Sequence, residues 1–106
     1  MIQYNKLVRD RIPEIITEHG ELPITTILGD LAYRQALLDK LVEEAIELRD
    51  SDGALEERAD VEEVLLALDA VLGLSRKIVE DARVEKANER GGFDAKIFLE
   101  RVEERQ

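Results

Sequence analysis

An all-α fold, an antiparallel helix bundle, is what this sequence predicts, and three observations lead there. Leu, Val, Ile, Glu, Arg and Lys dominate the chain while aromatic residues make up only 4%, a mixture that favours helix. Apolar residues recur at helical spacing through two long stretches, about 31–48 and 54–72, and a third stretch runs to about Arg90. Gly53, Gly73 and the pair Gly91-Gly92 fall at the ends of these stretches, where breakers belong. At 106 residues the chain reads as one domain, 1–106, of a size that gains from oligomerisation.

Each element follows from local residues. Residues 7–19 read as a short helix with Asp10 as its cap, Pro13 at N3 in its first turn and Gly20 as its stop. Leu22 to Leu28, β-branched and bounded by Pro23 and Gly29, predicts a small strand or extended element. Asp30 is placed to cap a helix from about Leu31 to Leu48 whose stripe is Leu37, Leu38, Leu41, Ala45 and Leu48. Residues 49–53 form a polar turn. The next helix, from about Ala54 to Leu72, carries Val61, Val64, Leu65, Leu68, Val71 and Leu72 on its apolar face. Ser75 caps a last helix with Ile78, Val79 and Ala82 inward, and the tail from Phe93 to Val102 reads as a strand, a short helix or a packing arm.

The formal net charge of −10 disfavours nucleic-acid polymers and anionic membranes as partners. It is compatible with a small polyanion, because a bound divalent cation inverts the local field. The chain has no cysteine, so it forms no disulfide. No apolar run approaches membrane-spanning length and the first residues lack a signal-type apolar region, so a cytoplasmic location is expected.

Two acidic pairs, Glu44/Glu47 and Glu57/Asp60, carry the chemical interest. Most acidic pairs at i,i+3 simply make a solvated helix face. These differ by their place on the helical wheel. At about 100° per residue, Glu57 falls among Val61, Val64 and Leu68, and Asp60 lies at the edge of that stripe beside Val64 and Val71. Glu44 flanks the stripe of Leu37, Leu41 and Leu48, with Glu47 one step round and Glu43 the most exposed. A carboxylate forced toward a core is costly unless paired or bound to metal. The intervening turn makes the two helices antiparallel neighbours, so the four acids meet at one end. Hard oxygen ligands arranged this way suit Mg²⁺, with Mn²⁺ as a substitute. The rival arrangement is a purely structural network in which Arg49 or Arg58 pairs the acids.

The order Glu43-Glu44-Ala45-Ile46-Glu47 and then Glu57-Arg58-Ala59-Asp60 fits EExxE…ExxD, with nine residues (48–56) between the halves. In this the chain resembles the all-α nucleoside triphosphate pyrophosphohydrolases, the MazG-like and phosphoribosyl-ATP pyrophosphohydrolase-like group. The gap is a little shorter than is common there. Tyr4 to Pro13, Lys86 to Phe93 and the Ile97-Phe98-Leu99 that follows also resemble the second of those branches, so the likeness runs through nearly the whole chain.

The resemblance implies a Mg²⁺-dependent hydrolase that converts a nucleoside triphosphate or related nucleotide to the monophosphate and pyrophosphate. Glu44, Glu47, Glu57 and Asp60 would be the metal ligands, and Glu43 a supporting acid or one that orients the attacking water. It further implies a homodimer or homotetramer whose assembly completes the bundle. Lys86, Asn88 and Arg90 are candidate phosphate contacts, though as charges near a helix end they equally suit the helix dipole. Arg9 or Lys6, in the N-terminal charged cluster, is a further candidate contact with substrate. His19 reads as a dipole partner at a helix end. Two other functions fit the same residues: phosphoribosyl-ATP hydrolysis in histidine biosynthesis, and a non-enzymatic acidic adaptor.

Overall fold

In the computed structural model, which describes residues 1–105, four helices follow one another: α1 (Ile12–Glu18), α2 (Asp30–Asp50), α3 (Leu55–Leu72) and α4 (Arg76–Arg90). No strand forms among the described residues, and the protein is all-α. The chain divides into two compact units, Met1–Gly73 and the part from Leu74 onward.

The first unit is organised by the α2–α3 hairpin. One hydroxyl joins its two helices: Ser51 Oγ donates to the Leu48 carbonyl at 3.0 Å and accepts from the Ala54 N–H at 3.1 Å. Gly53, at φ +87°, supplies the left-handed backbone that the turn requires, and its N–H also reaches the Leu48 carbonyl at 3.0 Å. So short a connection forces α3 back along α2. Leu37, early in α2, therefore packs with Val64 and Leu68, late in α3. Leu7, Tyr33, Leu41 and Ala67 lie partly buried against these three. Gly73 closes α3 in the left-handed conformation at φ +68°.

Several expected details are corrected. Leu38 and Ala45 are exposed, because they sit about 80–100° round the wheel from Leu37 and turn away from α3. Val71 and Leu72, in the last turn of α3, are likewise exposed. Asp10 does not cap α1: the helix begins at Ile12 after Arg11 without a side-chain cap, which places Pro13 second rather than third. Its acidic first-turn residue Glu14 pairs with Arg11 at 3.3 Å. Asp30 is the first residue of α2 rather than its cap, which is Gly29. His19 ends α1 with its Nδ1 at 2.8 Å from the Ile15 carbonyl, the helix-end role expected of it.

Residues 22–28 carry no regular structure. With no second strand beside them among the described residues they form no ladder, and Leu22, Ile24 and Ile27 face solvent. In the second unit, Ser75 does cap α4, accepting from the Ile78 N–H at 3.1 Å. Ile78, Val79 and Ala82 are exposed rather than inward, since α4 is the one helix among the described residues of its unit. The tail forms neither strand nor helix, and Phe93, Ile97, Phe98, Leu99 and Val102 are exposed.

A core this thin depends on each member. Leu37→Ala should lower unfolding stability by about 2–3 kcal/mol in a denaturant titration; a change below roughly 0.5 kcal/mol would show that the seam around Leu37 contributes little.

Candidate functional site: an acidic cluster in the helix seam

Because α2 and α3 run antiparallel, Glu44 near the end of one meets Glu57 and Asp60 near the start of the other. Each offers a carboxylate oxygen, and these atoms lie within 4.8 Å of one another. Glu44 is only 6% exposed, more deeply placed than most leucines of the chain, while Glu57 and Asp60 are half-buried. The wheel position explains this. Glu44 lies on the same face of α2 as Leu37 and Leu41, so packing those residues drags the carboxylate inward.

The cations that answer these acids are not Arg49 and Arg58, the pair of the rival arrangement. Arg49 pairs with Asp50 at 3.2 Å and Arg58 with Glu62 at 2.9 Å. Instead Lys40, one turn before Glu44 on α2, places its Nζ 3.3 Å from Glu44 Oε1 and 3.3 Å from Glu43 Oε2. Two residues of the N-terminal segment complete the set: Lys6 Nζ lies 3.0 Å from Glu43 Oε1, and Arg9 Nη2 lies 2.7 Å from Asp60 Oδ1. Lys6, Lys40 and Glu43 also line a small cleft of about 120 Å³, with Asn5, Leu7 and Asp39.

The pairing is incomplete. Glu44 Oε2 and Glu57 Oε2 are both buried with no hydrogen-bond partner. Three cations, Lys6, Lys40 and Arg9, face four acids, Glu43, Glu44, Glu57 and Asp60, so a negative excess stays in the seam. Burial raises the Glu44 carboxyl above its ordinary range; the Lys40 hydrogen bond opposes this, and the nearby Glu47 carboxylate reinforces it. Glu43 behaves oppositely: burial pushes it up, but hydrogen bonds from Lys6 and Lys40 outweigh that and hold it below the ordinary range. Hard, unpartnered oxygens beside surplus negative charge are a donor set able to hold a metal ion.

Of the residues singled out from the sequence, Glu44, Glu57 and Asp60 are thus brought together. Glu47 is exposed and outside that group, although close enough to act on Glu44 electrostatically. Glu43 stands beside the group, held by two lysines. Arg9 contacts Asp60. Lys86, Asn88 and Arg90 are exposed near the end of α4, in the second unit. Lys40 was not anticipated, though its spacing of three and four residues before Glu43 and Glu44 is a legible signal.

No protein-family model matches the chain, and no solved structure matches it. An uncharacterized protein of Mycolicibacterium smegmatis (strain ATCC 700084 / mc(2)155) is 51% identical to it over 47 residues, which are 44% of this chain and 48% of that relative. The chain thus spans about half the length of the relative it matches, and the likeness brings no activity with it.

A carboxyl whose folded-state pKa is raised holds its proton more tightly when folded, so it subtracts stability as pH rises above its unfolded value. In cation-free buffer, Glu44→Gln should therefore melt above the wild type at pH 7. The gap should close as pH falls below the ordinary carboxylate range, as read by thermal denaturation across pH. A variant less stable than wild type at pH 7 would mean that the Lys40 pair outweighs burial.

Proposed function

We propose that the protein is a Mg²⁺-dependent nucleotide pyrophosphohydrolase, cleaving a nucleoside triphosphate or related nucleotide to monophosphate and pyrophosphate. One observation carries the reading: two buried carboxylate oxygens, Glu44 Oε2 and Glu57 Oε2, have no partner in a seam that Asp60 shares. The resemblance of Glu43 to Asp60 to the EExxE…ExxD pattern of MazG-like enzymes supplies the substrate class.

In this reading Glu44, Glu57 and Asp60 hold the ion, with Glu47 as a fourth acid at the exposed rim. Bound there, Mg²⁺ would offset the charge of the phosphates and favour in-line attack by water. Glu43, kept ionised by Lys6 and Lys40, is an acceptor suited to orienting that water. Arg9, which contacts Asp60, carries donors of the kind that phosphate oxygens need. Clearance of noncanonical nucleotides is the role this activity would serve, and phosphoribosyl-ATP belongs in the substrate panel.

A homodimer or homotetramer is part of the proposal. Leu31, Leu38, Val42 and Ile46 of α2, with Leu55 and Leu66 of α3, leave apolar surface on the hairpin. No described helix is long and apolar enough to cross a membrane, and a cytoplasmic setting suits the substrate proposed.

Pyrophosphate release from a nucleotide panel, with and without Mg²⁺, tests the activity. Glu44→Gln and Glu57→Gln should each lose about a hundredfold or more in rate while staying folded. Wild-type rates in both would remove the site assignment, and no Mg²⁺-dependent product from any nucleotide would leave the acidic adaptor as the better description. For the assembly, Leu38→Glu with Val42→Glu should shift the sedimentation coefficient to that of a monomer; an unchanged coefficient would place the contact elsewhere.

A further inference from the structure

The N-terminal segment is fastened across the hairpin at three points. Leu7 packs on the core, Lys6 reaches Glu43 of α2 at 3.0 Å, and Arg9 reaches Asp60 of α3 at 2.7 Å. We propose that Arg9 is a cation-gated phosphate ligand: it occupies Asp60 while the acidic seam lacks a divalent ion, and is released to an anionic substrate group when the ion takes Asp60. This rests on the hydrolase reading and adds to it an order of events.

Two observations support the exchange. The first concerns strength. The Arg9 and Asp60 side chains are 53% and 37% exposed, and a pair open to solvent to that degree contributes little. Beside them, Glu44 is more than nine-tenths buried and its Oε2 has no partner, so the oxygen that most needs a cation is one Arg9 does not serve. The second concerns space. Asp60 offers its oxygen within 4.8 Å of those of Glu44 and Glu57, so an ion held by all three would stand close to the guanidinium on Asp60. Two positive groups on one carboxylate repel, and the half-exposed monovalent partner is the one free to leave. A planar guanidinium released at the edge of the seam is suited to phosphate oxygens. Binding of the ion would in this way prepare binding of the anion.

The test needs two affinities of the 106-residue chain: Mn²⁺ by calorimetric titration, and pyrophosphate by equilibrium dialysis at saturating Mn²⁺. Arg9→Gln should bind Mn²⁺ more tightly, by roughly threefold to fivefold. It should bind pyrophosphate about tenfold more weakly. Arg11→Gln, whose arginine pairs with Glu14 of its own helix, should change neither, separating local exchange from net charge. A residue that merely steadied Asp60, or whose loss damaged the fold, would weaken both affinities, and that result overturns the proposal. So does unchanged Mn²⁺ affinity in Arg9→Gln when Glu57→Gln abolishes Mn²⁺ binding, an outcome that leaves the hydrolase reading standing. A wild-type chain that binds no Mn²⁺ overturns both.

Discussion

Glu44 occupies the seam of the α2–α3 hairpin, and the arrangement around it answers to that burial. Leu37 and Leu41 share its helix face, so the packing that forms the core also withdraws its carboxylate from water. Lys40 reaches back to it from the preceding turn, Lys6 and Arg9 are drawn across from the N-terminal segment, and Glu57 and Asp60 face it from α3. Apolar packing and charge pull against each other here, a conflict of the kind found at functional sites and in structural ion-pair networks alike.

The hairpin was legible in the sequence because its two signals are local and agree. The stripe of Leu37, Leu41, Val64 and Leu68 has helical period, and Gly53 with its polar neighbours marks the turn. The same wheel placed Glu44 and Glu57 inward. It placed Leu38 and Ala45 too generously, because a sequence shows that a face is apolar without showing what, if anything, covers it. The caps, Arg11 and Gly29, lie one position from those that the sequence suggests, Asp10 and Asp30, because neighbouring residues compete for the helix start with little energy between them. Residues 22–28 have strand-like composition, but a strand is defined by its partner, and nothing local announces that the described residues supply none.

The cations show the same division. Lys40 lies within one helical turn of its acids and was open to local reasoning. The pair between Arg9 and Asp60 spans 51 residues and exists only because the fold returns the N-terminal segment to the hairpin. Arg49 and Arg58, the neighbours that sequence suggested as partners for the acids, satisfy Asp50 and Glu62 instead, each within reach along its own backbone. Proximity in the chain determined those pairs and the Lys40 pairs, whereas the contacts of Lys6 and Arg9 required tertiary structure.

The Ser51 hydroxyl that ends α2 and starts α3 bears on the order of assembly. Closing so short a connection costs little chain entropy, so the hairpin is suited to early formation as the chain folds. Its acids then converge with Lys40 as a cation from within the hairpin, before Arg9, 51 residues from Asp60, has been recruited. Repulsion is therefore greatest in a half-built hairpin rather than in the finished protein.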